Sequence, residues 1–387
     1  MRIAARIMDS KTDFAPLYRA DLSAQEAAFH GELVAAMQRV LQSGRYVLGP
    51  EGERFENEFA RYLGVREAVG VGSGTDALIL ALESVGVRPG DEVLTTPFTA
   101  IPTVSAIVRV GATPRFVDID PRTLLMRVDL IDGAIGPRTK AIVPVHIFGA
   151  VVPMDGVLEI ARRRGVAVIE DAAQAHGSSS GGRQAGTFGD CGCFSFYPTK
   201  NLGGYGDGGM IATNDRERAA ALRRARNYGK AHPDYAVSDG VNTRLDELQA
   251  AFLSVKLPHL EDMNARRAAA VARYRDGLSG TPIVFLDLPD GCVSNYHVLT
   301  VRLPGRRDTL REHLESRGIQ SAVFYPVPIY EQQAFRRFRS AGGEPCPEAA
   351  HACRDVLSLP LYPEMQEQHV DRTVEAIRGF FAPLESQ

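Results

Sequence analysis

The spacing of apolar and polar positions changes repeatedly along the chain, and these changes predict an alternation of helices and strands. Residues 25–42 carry apolar side chains at helical spacing, and Gly44 is placed to end that helix. Residues 55–64 predict a second helix that closes at Gly64. Short β-rich runs follow at residues 67–71, 91–96, 113–119, 140–147, 166–172, 191–197 and 208–213.

Helical patterns separate most of these runs, for example at residues 75–85 and 154–164. A strand followed by a helix and another strand is typical of a parallel sheet that has helices on both faces. The sequence therefore predicts an α/β fold, in which one large domain holds a mainly parallel sheet of seven strands.

The pattern changes in the last third of the chain. A long helical region at 245–274 precedes a part that mixes the periods of helices and strands. In that part we predict strands within 282–303 and at 319–325, and helices at 308–317, 346–356 and 366–381. The predicted division is an N-terminal segment with the large domain at 1–255 and a smaller C-terminal α+β domain at 256–387.

Composition and charge exclude several classes of protein. The 387 residues include 44 Lys+Arg and 47 Asp+Glu, and a net charge of −3 argues against a nucleic-acid-binding surface. No apolar run approaches the ~18 residues that span a bilayer, and the first 14 residues lack the apolar core of a secretory signal. The five scattered cysteines show no zinc spacing, so we expect a cytoplasmic protein with reduced thiols and no metal site.

A candidate phosphate site lies at residues 69–82, which read VGVGSGTDALILAL: a strand, a Gly-Ser-Gly turn and a helix. The glycines on either side of Ser73 let the backbone approach an anion, and the helix start offers unpaired N–H groups. Ser73 or Thr75 can add a hydroxyl donor. The pattern is neither a P-loop nor a dinucleotide fingerprint. A plain turn with Thr75 or Asp76 as helix cap is an equally open interpretation.

A carboxylate follows one of the predicted strands, where VAVIEDA at 166–172 runs directly into Glu170 and Asp171. Ligands of open α/β sheets bind beyond the carboxyl ends of the strands. Burying a carboxylate there without a partner is unfavourable. Pairing Asp171 with a cationic ring nitrogen would remove that penalty, whereas a helix cap or an ion pair with an arginine is the alternative.

The most specific segment is FSFYPTKNLGGYGDGG at 194–209, where an apolar strand ends and a Pro-Thr turn presents Lys200 to a glycine-rich loop. Most lysines lie on solvated surfaces. Lys200 instead stands between a strand that looks buried and a tight loop. A lysine in such surroundings loses part of its proton affinity and becomes a nucleophilic amine, as Schiff-base chemistry requires.

Taken together, these segments resemble the DegT/DnrJ/StrS family of sugar aminotransferases, which depend on pyridoxal 5′-phosphate (PLP). The shared pattern covers residues 44–249 closely and the remainder loosely. Its parts, in chain order, are GSGTDAL, PGDEV, VDID, TKAIVPVHIFG, EDAAQAHG, FSFYPTKNL, GDGG and GVNTRLDELQAA. The resemblance implies the type I aminotransferase fold and PLP as the cofactor.

The resemblance also implies roles for individual residues. Lys200 would bear PLP and carry the proton during transfer, and Asp171 would keep the pyridine nitrogen protonated. The other implied coenzyme contacts are Phe98 stacked on the ring, Gln174 beside the ring oxygen, and Gly74, Thr75 and Ser195 around the phosphate.

Asn242 would reach the phosphate held by a neighbouring subunit, which implies a homodimer with active sites at the subunit interface. A turn or helix cap before residue 245 is the alternative role of Asn242.

The implied reaction transfers an amino group from L-glutamate to a keto sugar carried by a nucleotide. Residues 206–209 read Gly-Asp-Gly-Gly, which family members acting at C-3 often carry, so a dTDP-3-keto-6-deoxyhexose is favoured. Candidate substrate contacts, each equally open to a structural role, are Lys230, Arg244, His297 and Tyr325. Alternatives are a C-4 sugar nucleotide, a keto-cyclitol, or a non-catalytic regulator on the same fold, which the presence of Lys200 and Asp171 disfavours.

Overall fold

The computed structural model describes residues 16–339 and 346–382. The prediction about a secretory signal concerns the first 14 residues, which lie outside the described part. The α-helices in the described ranges are α1 (Leu22–Ser43), α2 (Pro50–Leu63), α3 (Gly74–Ser84), α4 (Ile101–Arg109), α5 (Ile131–Ala134), α6 (Met154–Arg164), α7 (Arg216–Ala225), α8 (Glu247–Lys256), α9 (Leu260–Gly277), α10 (Arg307–Glu315), α11 (Pro347–Asp355) and α12 (Glu367–Phe381).

The strands form one large sheet and three small ones. They are β1 (Glu67–Val71), β2 (Glu92–Thr95), β3 (Thr113–Phe116), β4 (Thr139–Ile142), β5 (Ala167–Asp171), β6 (Ser179–Ser180), β7 (Arg183–Gln184), β8 (Cys191–Ser195), β9 (Gly209–Thr213), β10 (Lys230–His232), β11 (Tyr235–Ala236), β12 (Val284–Phe285), β13 (Cys292–Val293), β14 (Leu299–Arg302) and β15 (Val356–Leu359).

The large sheet has seven strands in the order β1-β9-β8-β5-β4-β2-β3. The pairs from β8 to β3 are all parallel, whereas β9 runs antiparallel to both of its neighbours, β8 and β1. Each strand falls on one of the seven predicted runs, so the predicted α/β architecture is confirmed.

Both faces of the large sheet are covered, and this explains why consecutive residues in the middle of its strands are apolar. In β2, Val93 and Leu94 enter two different apolar clusters, and in β5, Val168 and Ile169 do the same. Since successive side chains of a strand point to opposite faces, the two clusters lie on opposite sides of the sheet.

The two predicted glycine stops are also found. Gly44 follows α1 with φ of 64° and Gly64 follows α2 with φ of 72°, the left-handed conformation that glycine adopts without steric penalty. At the other end of α1, the Asp21 carboxylate accepts hydrogen bonds from the amides of Ser23 and Ala24.

The predicted helix at 245–274 is wrong in one respect, because two helices occupy this region. α8 ends at Lys256, the 3₁₀ turn Leu257–His259 follows, and α9 begins at Leu260. Pro258 has no N–H to donate and its ring crowds the carbonyl four residues earlier, so the α-helical ladder is interrupted there.

The helix predicted at 346–356 ends one residue earlier than expected, because a strand that was not predicted follows it. α11 stops at Asp355, and Val356–Leu359 forms β15, which pairs with β14 in a small antiparallel sheet. No glycine or proline separates α11 from β15, so the sequence carries no boundary signal.

The strand predicted at 319–325 does not form. Ile319 and Ala322 make isolated bridges to Leu17 and Ser358, which belong to different parts of the fold, so no continuous partner is available. Within 282–303 the strands are confined to β12, β13 and β14, and β13 pairs with β6 rather than with its sequence neighbours.

A third apolar cluster, separate from the two on the large sheet, involves α9, α10, α12, β14 and β15, with Tyr274, Leu310 and Ile377 among its members. Leu17 from the N-terminal segment joins this cluster, whereas Ala349 of α11 packs in a cluster of the large sheet. The division at residues 255 and 256 stays a prediction, which the separate C-terminal core supports.

No helix in the described ranges has the length and apolar character that crossing a membrane requires. The same ranges contain no cluster of three or more side chains suited to hold a metal ion.

Candidate active site

The carboxyl ends of β5 and β8 lie side by side, since these strands are parallel and Asp171 is opposite Cys193. Asp171 is the last residue of β5 and is 6% exposed. Its Oδ2 accepts a hydrogen bond from the Thr103 hydroxyl at 2.7 Å, and its Oδ1 accepts one from the Ala173 amide at 3.2 Å. Both donors are neutral, and no arginine of the described ranges pairs with Asp171, which disfavours the ion-pair alternative.

Lys200 lies just beyond the end of β8. Its amide donates to the Tyr197 carbonyl at 2.8 Å, and the Gly204 amide donates to the Phe196 carbonyl at 2.8 Å, which folds the chain back around the lysine. Burial lowers the pKa of Lys200 to about 8, although the negative charge of Asp171 opposes this shift. A larger fraction of its amine is therefore unprotonated near neutral pH, as a nucleophile requires.

The start of α3 forms the predicted cradle. Ser73 is the helix cap, and its hydroxyl accepts a hydrogen bond from the Asp76 amide at 3.1 Å, so neither Thr75 nor Asp76 caps this helix. Within residues 16–339 and 346–382, the amides of Gly74 and Thr75 have no hydrogen-bond acceptor. Two free N–H groups at a helix start make an anion site.

Ser195 closes this cradle from the side of β8. A Cβ on Gly74 would lie only 2.7 Å from the Ser195 Cβ, so glycine is needed for α3 and β8 to approach this closely. Thr243 fixes the other side, because its hydroxyl accepts from the Gly72 amide at 2.8 Å and donates to the Asp76 carboxylate at 2.8 Å.

Gln174, Phe98 and Tyr325 lie together near Asp171. Gln174 accepts a hydrogen bond from the Phe148 amide at 2.8 Å and donates to the Tyr325 hydroxyl at 3.1 Å. Burial raises the pKa of Tyr325, and the charge of Asp171 adds to the effect, so the phenol stays neutral. Phe98 is fully buried and meets both Phe148 and Tyr325 edge to face, so its stacking on a coenzyme stays a prediction.

His297 is positioned by Asn201, with 3.0 Å between its Nδ1 and the amide oxygen. The Asn201 amide group donates to Asn264 and Asn295, so its oxygen is the acceptor and Nδ1 carries the imidazole proton. Burial lowers the pKa of His297 well below its usual value, and the charge of Lys200 acts in the same direction. The ring is therefore neutral and its Nε2 is an acceptor.

Asn242, Lys230 and Arg244 belong to an exposed segment instead. Asn242 and Lys230 are exposed and Arg244 is partly buried. Arg244 donates to the Asn227 side chain at 2.9 Å, and both cations lie over the Tyr228 ring, Lys230 at 5.6 Å and Arg244 at 5.8 Å from its centroid. In the described part of the chain, no hydrogen bond or ion pair links these three residues to Lys200 or Asp171.

Two buried groups of this site, Thr103 and His176, were not predicted from the sequence. Thr103 reaches Asp171 from α4, and its spacing of four residues from Thr99 was the only available signal. His176 lies between the rings of Phe194 and Phe196, fully buried, and burial with the charge of Lys200 lowers its pKa to about 3. Its position in the EDAAQAHG motif was visible, but an unpaired imidazole in an apolar site has no sequence signature.

Taken as a donor set, these residues fit PLP. Two free amides and Ser195 suit a phosphate, a lysine of lowered pKa suits an aldehyde, and a buried carboxylate suits a cationic ring nitrogen. Asp171 ends β5 and Lys200 lies just beyond the end of the neighbouring parallel strand β8, so both residues stand at one edge of the sheet.

Two curated relatives are similar over nearly the whole chain. One is the UDP-N-acetyl-3-dehydro-α-D-glucosamine 3-aminotransferase of Acidithiobacillus ferrooxidans, 42% identical over 92% of this chain and 96% of that protein. The other is the dTDP-3-amino-3,4,6-trideoxy-α-D-glucose transaminase of Streptomyces venezuelae, 44% identical over 92% of this chain and 94% of that protein.

A solved structure, S. venezuelae DesV in complex with a ketimine intermediate, matches with a TM-score of 0.92 and 42% identity, over 96% of this chain and 100% of that one. Other similar structures include PLP and pyridoxamine phosphate forms, and aminotransferases of this group use PLP. The family model described as DegT/DnrJ/EryC1/StrS aminotransferase matches residues 28–378. The chain is therefore an aminotransferase, and it belongs to the DegT/DnrJ/EryC1/StrS family.

Proposed function

We propose that this enzyme carries PLP on Lys200 and transfers an amino group from L-glutamate to a nucleotide-linked keto sugar, with a dTDP-3-keto-6-deoxyhexose as the favoured acceptor. The observation that carries the proposal is that Asp171 and Lys200 stand at and just beyond the ends of the adjacent parallel strands β5 and β8, where the start of α3 packs against Ser195.

In this proposal Asp171 and Lys200 have separate roles. The Asp171 carboxylate, held by Thr103, would pair with the ring nitrogen and favour its protonated form. When bound, PLP supplies an electron sink for the carbon that loses its proton. Lys200 Nζ, free once the amino donor has taken its place, would hold the proton that the donor gives up and return it, and its lowered pKa suits both roles.

Neutral side chains would bind the sugar. His297 offers its Nε2 as an acceptor and Tyr325 offers a phenol that stays protonated. Neither group carries charge, so both can bond sugar hydroxyls without requiring an ionic partner.

The exposed segment would serve a second subunit. Asn242 would reach the coenzyme phosphate of the partner, and Lys230 and Arg244 would bind the diphosphate of the sugar nucleotide. Their exposure in one chain and their position next to Thr243, which borders the cradle, support this arrangement. The homodimer remains a prediction, as does the cytoplasmic location.

Amination at C-3 is supported by two observations. The names of both relatives above specify position 3 of the sugar, and the loop after Lys200 reads Gly-Asp-Gly-Gly at 206–209. The relatives differ in nucleotide, UDP in one and dTDP in the other, so a UDP-linked 3-keto sugar is the second candidate. Turnover of a C-4 keto sugar or of a keto-cyclitol would contradict the assignment of C-3 specificity to the Gly-Asp-Gly-Gly loop.

The test has two parts. Borohydride reduction of the PLP-loaded enzyme and peptide mass analysis should place the label on Lys200, one of only five lysines in the chain. The enzyme is then supplied with L-glutamate or L-glutamine and with 3-keto and 4-keto sugars on dTDP or UDP, and with a keto-cyclitol, while release of the 2-oxo acid is followed. A label on another lysine would overturn the assignment of Lys200, and turnover confined to the cyclitol would overturn the sugar-nucleotide substrate.

A further inference from the structure

Lys256, at the end of α8, is a buried lysine outside the set discussed so far. Its side chain is 1% exposed, whereas Lys140 and Lys230 lie on the surface. A buried ammonium is unfavourable unless it is paired or fully hydrogen-bonded. Among the described residues no carboxylate lies within ion-pair distance of its Nζ, so the other contacts must stabilise the charge.

These contacts join three parts of the fold. Lys256 Nζ donates to the Gly203 carbonyl at 2.7 Å and to the Gln25 side-chain oxygen of α1 at 2.7 Å. It also lies 4.4 Å from the centroid of the Tyr205 ring, where a cation is attracted by the aromatic face. Gly203 and Tyr205 belong to the segment that follows Lys200, which we call the lysine loop (residues 200–206).

Two other side chains on the same face of α8 hold this loop. Gln249 and Phe252 precede Lys256 by seven and four residues, so all three project from one side of the helix. The Gln249 side-chain oxygen accepts from the Tyr205 amide at 2.7 Å, and the Phe252 ring meets the Tyr205 ring edge to face at 5.3 Å. One face of α8 therefore contacts the lysine loop through three successive side chains.

The lysine loop has little freedom to shift without moving Lys200. The Gly204 amide is bonded to the Phe196 carbonyl, and a Cβ on Gly203 would overlap the Pro198 carbonyl. The Lys200 amide is bonded to the Tyr197 carbonyl inside the same turn. Because the loop closes on itself in this way, the position of the Gly203 carbonyl is coupled to that of the Lys200 backbone.

We propose that Lys256 is a positioning residue, whose buried ammonium locks the lysine loop against α8 and thereby holds Lys200 in place for catalysis; the inference rests on the proposed function. Lys256 acts through the loop, with no contact to coenzyme or substrate. Two hydrogen bonds and an aromatic face satisfy one ammonium, and a neutral side chain cannot supply all three contacts.

The ammonium form is available at neutral pH. Burial lowers the pKa of Lys256 to about 8, and the charge of Glu364 opposes that shift. The group is therefore mainly protonated at pH 7.

The test compares Lys256→Met, which keeps length and removes all donors, with Lys140→Met, the same substitution at an exposed lysine. In the coenzyme-free protein, amide exchange in the lysine loop should rise roughly tenfold in Lys256→Met while that of the large sheet is unchanged. In the loaded enzyme, kcat of the glutamate half-reaction should fall roughly tenfold with KM changed less than about twofold, because a displaced Lys200 affects proton transfer more than binding.

Lys256→Gln keeps an uncharged amide with two N–H donors on a shorter side chain and should give intermediate values. It replaces Lys256→Met if the latter does not fold. Exchange that rises evenly over the whole chain would show a purely structural role and overturn the proposal. Values matching those of Lys140→Met would also overturn it. Failure of the wild-type enzyme to accept PLP on Lys200 would instead reject the proposed function, and the exchange measurement on coenzyme-free protein would still report whether Lys256 fixes the loop.

Discussion

The two parts of the proposed active site differ in how completely a single chain builds them. At the ends of β5 and β8, Asp171 has a hydroxyl and an amide partner and Lys200 has an environment that lowers its pKa. Near Asn242, by contrast, Asn242 and Lys230 are exposed and Arg244 is partly buried. Among the described residues, the side chains of these two cations contact one aromatic ring and one amide.

This difference indicates that burial distinguishes the residues that transfer protons from those that bind the charged part of the substrate. The chemistry of proton transfer needs pKa values that only a desolvated site produces, so its residues must be placed by the fold of one chain. Recognition of a diphosphate needs accessible cations. Such cations can lie on the surface of one chain and become part of a site when a partner subunit and a substrate bind. The predictions below test each side of this comparison.

The largest effect is expected at Lys200. Lys200→Ala removes the amine that bears PLP and moves the proton, so transamination should fall by on the order of 10⁴-fold or more. The rate of the glutamate half-reaction measures this directly. Lys140→Ala, at an exposed position, should keep the wild-type rate; an equal loss there, or a fully active Lys200→Ala enzyme, would contradict the assignment.

Asp171→Asn should be the second largest change, because it removes the charge while keeping the shape of the side chain. Its single amide oxygen can replace only one of the two carboxylate oxygens that accept from Thr103 and Ala173. We expect the half-reaction to slow by about 10²–10³-fold, the range seen when preorganised electrostatic stabilisation is lost. Asp290→Asn, at an exposed position outside the site, serves as the matched control.

The same variant changes Lys200 in a direction that can be measured. The pKa of Lys200 is about 8, and the charge of Asp171 raises it. Asp171→Asn should therefore lower the pKa of Lys200 further, which moves the pH midpoint of Lys200 acylation in coenzyme-free protein downwards. An upward move would show that Asp171 does not face this lysine.

The exposed segment should give smaller effects of a different kind. Lys230→Ala or Arg244→Ala should raise KM for the sugar nucleotide roughly tenfold, the value of one charge-assisted contact, without slowing the glutamate half-reaction. A tenfold loss of rate in the glutamate half-reaction as well would show that these cations act in the buried site. It would contradict the distinction between the buried and the exposed residues.

Mixed subunits sharpen the same comparison. If Asn242 serves the partner, a hybrid of Lys200→Ala and Asn242→Ala subunits contains one intact site, so random mixing of two weak variants restores about a quarter of wild-type activity. Activity that stays at the average of the two variants would contradict a shared site.

The sequence predicted the large domain well because its signals are local. Apolar runs bounded by turns located all seven strands, and Gly44 and Gly64 located two helix ends. Asp171 and Lys200 were found because Asp171 ends one strand and Lys200 follows another after a short turn, and parallel strands end at one edge of a sheet.

What the sequence missed depends on contacts between distant parts of the chain. β15 forms only because β14 is available beside it, and Thr103 and Lys256 are defined by neighbours more than 50 residues away. His176 is defined by the rings of Phe194 and Phe196, which belong to another strand and the residue after it. A threonine, a histidine or a lysine at such positions looks like any other, since burial and partner atoms are properties of the folded chain.

The smallest effect is expected at Thr103, which orients the Asp171 carboxylate but does not itself take part in the proposed chemistry. Thr103→Val keeps the shape of the side chain and removes the hydroxyl that donates to Asp171 Oδ2 at 2.7 Å. A buried carboxylate oxygen without a donor costs about 1–3 kcal/mol, so denaturant unfolding of the coenzyme-free protein should lose stability in that range. The half-reaction should slow by about three- to tenfold, because Asp171 is less firmly oriented toward the ring.

Thr99→Val is the matched control, since the Thr99 hydroxyl bonds Thr103 at 2.8 Å and lies one step further from the carboxylate. It should have a smaller effect on the half-reaction rate than Thr103→Val. If both variants slow the reaction equally, the hydrogen bond from Thr103 to Asp171 has no specific role. The orientation of the Asp171 carboxylate would then be set by the end of β5 alone.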